Sequence, residues 1–282
     1  MKVVLICGGL GLRLREHSES LPKPMVTVGD RPILWHVMRY YASYGYRDFV
    51  LCLGYRADVI KEYFLNYEEA ISNDFVLSNG GRSLDLLSND ISDWRITFAD
   101  TGIHPNIGQR LAAARKYVAD EEMFLASYSD CLTDAPLTDL VSDFQCRGKI
   151  ASFLSVRPAI PGHFVSQREN GQVTALTPPK LSGLRVNGGY FILRQEIFDY
   201  IGEGEELVEQ PFQRLIEDEQ LLAYPYEGFW APMDTIRDRQ ELESMYERGQ
   251  APWAVWNRSD AQPPFVDLTS PGPNIPPERI MT

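Results

Sequence analysis

Gly8, Gly9 and Gly11 stand directly behind an apolar run, Val3–Cys7. They are followed by Arg13 and by Lys23, which sits between Pro22 and Pro24. Glycines at the end of a strand let the backbone turn tightly and bring several N–H groups to one point. A phosphate chain is the usual anion for such a nest. A plain strand-to-helix turn also favours glycine, so the glycines alone leave both readings open. The two cations narrow the choice. Prolines on both sides preset the backbone of Lys23, which suits an ammonium aimed at one point, a phosphate ligand rather than a solvated surface charge. The loop is not a Walker A loop, which needs G-x-x-x-x-G-K-[ST]. Nor is it a dinucleotide fingerprint: Leu14 stands at the third glycine of G-x-G-x-x-G, and the next strand-like run, "VLCLGY", ends without an acidic residue. Hydride transfer on a nicotinamide is therefore disfavoured.

The elements that must position this loop are readable from periodicity. "KVVLICGG" is a short continuous apolar strand ended by glycine. In "RPILWHVMRYYASYG" the positions Ile33, Leu34, Val37, Met38 and Tyr41 form a helical face, with Pro32 near its start and Gly45 as a stop. "RDFVLCLGY" is the next strand and "ADVIKEYFLNY" the next helix. This β-α-β-α order predicts a parallel sheet with helices on its faces. Residues 68–93, rich in Ser, Asn and Gly, read as irregular excursions. "WRITFAD" resumes as a strand, "GQRLAAARKYV" as a short helix, and "EMFLASYSD" as a strand that stops at an aspartate. From about residue 150 strands cluster in "IASFLSV", "GQVTAL", "NGGYFIL" and "LLAYPYEG", as mixed or antiparallel additions. "QELESMYERG" is a late helix. The chain is expected to form one domain over 1–256, with a Pro-rich extended tail over 257–282.

The 282 residues, 44% of them apolar, suffice for a substantial core. The net charge of −12 argues against gripping a nucleic-acid backbone, which needs a basic stripe. Any bound polyanion should be small and locally held. Cys7, Cys52, Cys131 and Cys146 form no C-x-x-C and have no histidine cluster beside them. They read as buried small hydrophobes in a reducing compartment. No apolar stretch approaches 18 residues, and the start runs straight into a strand. A soluble, cytoplasmic protein with no membrane partner is expected.

"GGLGLRL" followed by "LPKPM" resembles the signature of the sugar-phosphate nucleotidylyltransferases, G-G-x-G-T-R-L … P-K-P-M. "RPILWHVMRYYASYGYRDFVLCLGYRADVIKEYF", "WRITFADTG", "IGQRL", "NGGYFIL", "GFWAPMDTIRD" and "APWAVW" extend the resemblance over residues 1–256, toward the glucose-1-phosphate cytidylyltransferase branch. The resemblance implies an α/β fold, a Rossmann-like, mostly parallel mixed sheet with helices on both faces and the active site over the carboxyl ends of its strands. It also implies transfer of a nucleotidyl group to a sugar phosphate with release of pyrophosphate, Mg²⁺ as cofactor, and a homo-oligomer. Within it, the amides of Gly8, Gly9 and Gly11 cradle the triphosphate, Arg13 clamps the leaving pyrophosphate, and Lys23 touches the phosphates. Such catalysis is mostly positioning and electrostatics. Asp130, after the strand "MFLAS", and Asp234, after "GFWAPM", match the two metal aspartates, which suits an ion that takes one or two carboxylates plus phosphates and water. Either aspartate alone is more plausibly a turn or cap residue, and Asp134 is a weaker third candidate that more readily caps the segment after it. "IGQRL" resembles the loop that meets the base: Gly108 would let the backbone approach it and Arg110 would face the nucleotide, unless Arg110 is merely an exposed helix start. This segment and the "WH" of the first helix favour CTP.

The departures from the family pattern are local. Leu12 replaces the usual threonine of the glycine loop, and Ser129 replaces the glycine before the metal aspartate. Thr177-Pro178 stands where the family carries Glu-Lys, whose lysine binds the sugar phosphate; Lys180 or Arg185 would have to supply that cation. "PGHFV" differs from the family's G-R-F-G, and Val208 stands at a sugar-contacting glutamate. Asn187 is the acceptor residue that the resemblance still carries over. The donor half is thus the more complete, and the acceptor is open between glucose 1-phosphate and a modified sugar phosphate, a cyclitol phosphate or a phosphonate. Two rivals remain: a glycosyltransferase, which would want a D-x-D motif that "SDCLTD" lacks, and a catalytically silent nucleotide-binding subunit.

Overall fold

The computed structural model describes residues 1–9, 21–158 and 162–258, and all of their side chains except that of Lys180. Gly11, Arg13 and the Leu12 departure therefore lie outside the described residues, as do Pro161 and the tail from residue 259.

Among the described residues one seven-stranded sheet organises the chain. Its strands are β1 (Val3–Ile6), β2 (Asp48–Leu53), β3 (Arg95–Asp100), β4 (Met123–Tyr128), β5 (Ala151–Val156), β6 (Val186–Arg194) and β7 (Leu221–Pro225). Their order across the sheet is β7-β5-β6-β4-β1-β2-β3. β1 pairs in parallel with both β2 and β4, β2 with β3, and β5 with β7; β6 alone runs antiparallel, to β4 and to β5. The helices that matter here are α1 (Ile33–Ser43), α2 (Ala57–Leu65), α3 (Ile107–Val118), α4 (Leu137–Arg147), α5 (Gln210–Glu217) and α6 (Ile236–Glu247).

β1 is apolar throughout because both its faces are covered. Val3 and Leu5 join a cluster with Ile33, Leu34 and Val37 of α1 and Leu140 of α4. Val4 and Ile6 join the opposite cluster with Leu111 and Ala114 of α3 and Phe212 of α5. The expected strands and helices are present, but "GQVTAL" does not join the main sheet: Val173–Thr177 pairs antiparallel with Phe164–Gln167 in a separate hairpin, and α5 has no counterpart in the sequence reading. The 68–93 excursion contains an antiparallel hairpin, Phe75–Ser78 with Ser83–Leu86. It is tied down by a buried Asp90, which accepts from Tyr67 Oη and lies 3.2 Å from the Arg31 guanidinium. α4 was not read from the sequence. Cys7, Cys52 and Cys131 are buried as expected, but Cys146 on α4 is exposed; all four thiols are free. No helix among the described residues is long and apolar enough to cross a membrane.

Candidate active site

The sheet register brings two chain ends together. Ile6 of β1 is beside Tyr128 of β4, so Cys7-Gly8-Gly9 and Ser129-Asp130 leave the sheet side by side. This is also where strand order reverses, since the chain builds β1, β2 and β3 in one direction and returns to place β4 on the other side of β1. A crevice at such a switch point, outside the carboxyl ends of parallel strands, is the usual ligand position in this class of sheet. Ser129 ties the two strand ends: its buried hydroxyl donates to the Ile6 carbonyl at 2.8 Å. That contact gives the serine, where the family has glycine, a structural task.

Lys23, Asp130 and Asp234 converge here from three distant parts of the chain. The prolines act as expected on Lys23. Pro22 is extended, and the chain then enters a 3₁₀ turn, Lys23–Met25, closed by Met25 N–H to Pro22 O at 2.8 Å. Pro24 and Met25 are buried, so the turn is anchored and the lysine side chain emerges from a fixed base. Asp234 is carried in by a short ribbon, Trp230–Pro232, paired antiparallel with Cys131–Thr133 directly after Asp130. The Met233 N–H donates to the Asp130 carbonyl at 2.9 Å. The Asp234 backbone is fixed from the other side by Asp238, whose carboxylate accepts from the N–H groups of Asp234 and Thr235 and completes a capping box at the start of α6.

The Lys23 ammonium donates to Asp130 Oδ2 at 2.5 Å and to Asp234 Oδ1 at 2.6 Å. The lysine side chain is 16% exposed and those of the aspartates 24% and 43%. Burial alone would pull the lysine's pKa down. The charge and hydrogen bond of Asp130, and then those of Asp234, outweigh it and raise the pKa above the ordinary value. The ammonium is therefore charged throughout the neutral range. The two carboxylates offer hard oxygen donors. Among the described residues no three His, Cys, Asp or Glu side chains converge to make a closed metal cage, which suits an ion that draws its other ligands from phosphates and water.

Asp134, the weaker metal candidate, does other work. Its carboxylate accepts from Tyr226 Oη at 2.5 Å, Phe229 N–H at 2.8 Å and the Arg258 guanidinium at 3.0 Å. It does not cap α4, whose N-cap is Pro136. It clips the 226–229 loop that leads into the Asp234 ribbon.

Gly8 and Gly9 occupy the expected corner. Gly9 has φ 150° and open space where a side chain would point. At Gly8 a Cβ would lie 2.0 Å from Cζ of Arg110, so only glycine fits. That neighbour departs from the exposed helix start and from a residue simply facing a ligand. Arg110 is 2% exposed, and its guanidinium is engaged by Leu53 O (3.2 Å), Thr101 Oγ1 (2.7 Å), Gly102 O (2.8 Å) and Ile103 O (3.1 Å). It braces the carboxyl ends of β2 and β3 beneath the glycine corner. Burial lowers its pKa. Gly108 is likewise filled from within the protein: a Cβ there would meet the Glu205 carbonyl at 2.3 Å. Glu206 of that loop accepts from Ile107 N–H at the positive end of α3.

Of the residues that the resemblance assigns to the acceptor, Asn187 sits at the start of β6 with its Oδ1 accepting from Gly189 N–H at 2.9 Å. Its side chain also reaches the Tyr128 hydroxyl. Trp230 donates from Nε1 to Gly188 O at 2.8 Å, joining β6 to the Asp234 ribbon. Arg185 is engaged with Ser155 O and Tyr226 O and pairs with Glu227, which Arg157 also contacts at 2.6 Å. Arg157, Tyr226, Glu227 and Trp230 line a cavity of about 770 Å³ together with Leu181 and Phe229. Lys180 lies in the turn Pro179–Leu181. Trp35 and His36 are packed against Trp253 and Trp256, fastening residues 253–257 to α1.

The sheet is Rossmann-like, with a lysine and two aspartates gathered at its switch point, and residues 2–247 match the Nucleotidyl transferase family model. The chain belongs to that family. It is 38% identical over 91% of its length to the whole of the glucose-1-phosphate cytidylyltransferases of Salmonella typhi and Salmonella typhimurium. Its fold matches that of a UDP-glucose pyrophosphorylase solved with UDP-glucose, at TM-score 0.65 and 16% identity, over 88% of this chain and 98% of the other.

Proposed function

We propose that this protein transfers CMP from CTP to a sugar 1-phosphate, glucose 1-phosphate foremost, forming a CDP-linked sugar and pyrophosphate with Mg²⁺. The observation that carries the reading is the convergence of Lys23, Asp130 and Asp234 beside the glycine corner. The names of the relatives at 38% identity support both the base and the acceptor.

In this reading the acceptor phosphate oxygen attacks the α-phosphorus, and the bond to the pyrophosphate breaks. The glycine-corner amides and Arg13 receive the phosphate chain, and Lys23 neutralises charge that grows on the non-bridging and leaving oxygens. Asp130 and Asp234 hold Mg²⁺, which when bound screens the phosphate oxygens and orients the chain. Arg110 acts as a positioning residue, fixing Gly8 and the ends of β2 and β3 with a positive charge beneath the site. Asn187 and Trp230 border the acceptor space. The protein acts as a homo-oligomer, a reading supported by the exposed Leu77, Leu84 and Leu87 of the 75–86 hairpin and its flank, and light scattering on the purified chain tests it.

One observation favours an acceptor other than plain glucose 1-phosphate: Pro178 occupies the family's lysine position and Arg185 is already paired with Glu227. The test is pyrophosphate release across the four nucleoside triphosphates and a panel of sugar 1-phosphates, cyclitol phosphates and phosphonates. CTP with one acceptor should stand out. Nucleotide binding with no turnover on any acceptor would replace the reading with a silent nucleotide-binding protein.

A further inference from the structure

We infer that Lys23 is the resident cation of the aspartate pair, so that a divalent metal enters only together with a triphosphate that draws the ammonium away. This rests on the reading of Asp130 and Asp234 as the metal pair. Two carboxylates brought this close repel each other unless a cation lies between them, and the ammonium lies there, at 2.5 and 2.6 Å. It takes one oxygen from each, Oδ2 of Asp130 and Oδ1 of Asp234. An incoming ion would have to share these two carboxylates with the ammonium, and two cations drawn to one pair repel each other at close range. Mg²⁺ gives up its water reluctantly, so an ion arriving alone has little with which to displace a half-buried lysine held by two carboxylates. A triphosphate changes the balance, because its oxygens offer the ammonium a new anionic partner and offer the metal further ligands in the same event. The backbone permits this exchange without rearrangement: the 3₁₀ turn Lys23–Met25 is pinned by Pro22, Pro24 and Met25, so only the lysine side chain has to swing.

The direct test is Mn²⁺ titration of the nucleotide-free full chain, following the free-ion electron paramagnetic resonance signal, with wild type, Lys23→Met, Lys23→Arg and the double variant Lys23→Met/Asp234→Asn. Lys23→Met should bind one Mn²⁺ about 10–100-fold more tightly than wild type, because apparent affinity scales with the fraction of sites free of the competing group. Lys23→Arg, which keeps a cation, should bind no more tightly than wild type, and the double variant should lose the site. Wild type binding as tightly as Lys23→Met, with the site still lost in the double variant, overturns the lysine exchange and leaves the metal pair standing. Tight binding that survives Asp234→Asn overturns the metal pair itself. Should Lys23→Met fail to fold, the wild-type protein decides: the ¹⁵Nζ resonance of Lys23 should be unmoved by Mg²⁺ alone and shift on addition of CTP with Mg²⁺. A shift with Mg²⁺ alone overturns the inference.

Discussion

The ammonium of Lys23 lies 2.5 Å from Asp130 Oδ2, joining residues 107 positions apart in the chain. One comes from a proline-braced turn and the other from the end of β4. This contact joins the proline-braced turn to the aspartate pair beside the glycine corner. Lys23→Ala should lower kcat by roughly 10²–10³, the loss seen when one donor to transition-state charge is removed. Steady-state pyrophosphate release measures it.

Chelation should separate activity from folding. EDTA should abolish turnover yet shift the melting temperature by no more than about 1 °C, because Lys23 already bridges the aspartate pair and a ligand stabilises only to the extent that it is bound. Asp130→Asn and Asp234→Asn should each lower kcat by roughly 10²–10³. A melting curve with and without EDTA, beside the kinetic assay, checks both statements.

Arg110 is a stability residue as well as a positioning one. Arg110→Leu leaves the carbonyls of Leu53, Gly102 and Ile103 without their donor, and should cost about 3–5 kcal/mol. Gly8→Ala attacks the same contact from the other side, since its Cβ would lie 2.0 Å from the guanidinium carbon. Both variants should show a lower urea midpoint and a higher KM for CTP.

His36 makes stability depend on pH. Burial lowers its pKa from 6.5 to about 4, with the Val28 carbonyl opposing in part. Nε2–H donates to that carbonyl at 2.9 Å and Nδ1 accepts from Trp253 Nε1–H at 3.3 Å, so a second proton would set two donors against each other. Between pH 6.5 and about 4 the unfolded chain takes up a proton that the folded chain refuses. Stability should therefore be intact above pH 6.5 and fall by on the order of 3 kcal/mol as the pH drops toward 4. His36→Gln should flatten this part of the profile in melts run from pH 7 to pH 4.

The thiols divide cleanly. Burial pushes Cys52 up to about 12, Cys7 higher still, and Cys131 well above the ordinary thiol value, while Cys146 is exposed. Native protein should take one iodoacetamide per chain, and Cys146→Ser should take none, by intact mass.

The sequence carried the sheet because β1, β2 and β4 are buried on both faces and read as unbroken apolar runs. Proline bracing singled out Lys23 locally, whereas the two aspartates, 104 positions apart, were paired only through the family resemblance. It missed the 75–86 hairpin, whose apolar residues are exposed and interrupted by Ser, Asn and Gly. It could not give Arg110 its place, because the four acceptors of that guanidinium come from β2 and the loop after β3. The same holds for Asp134, which looks like a local cap and binds a loop some 92–95 positions away.

CMP transfer is read out by ³¹P NMR of the protein with CTP, Mg²⁺ and glucose 1-phosphate. Two coupled diphosphate resonances of a CDP-linked sugar should grow in step with free pyrophosphate, and should be absent in Asp130→Asn. CTP left intact, or cleaved to CMP without a coupled diphosphate product, with glucose 1-phosphate and every other phosphorylated acceptor tried, would contradict it.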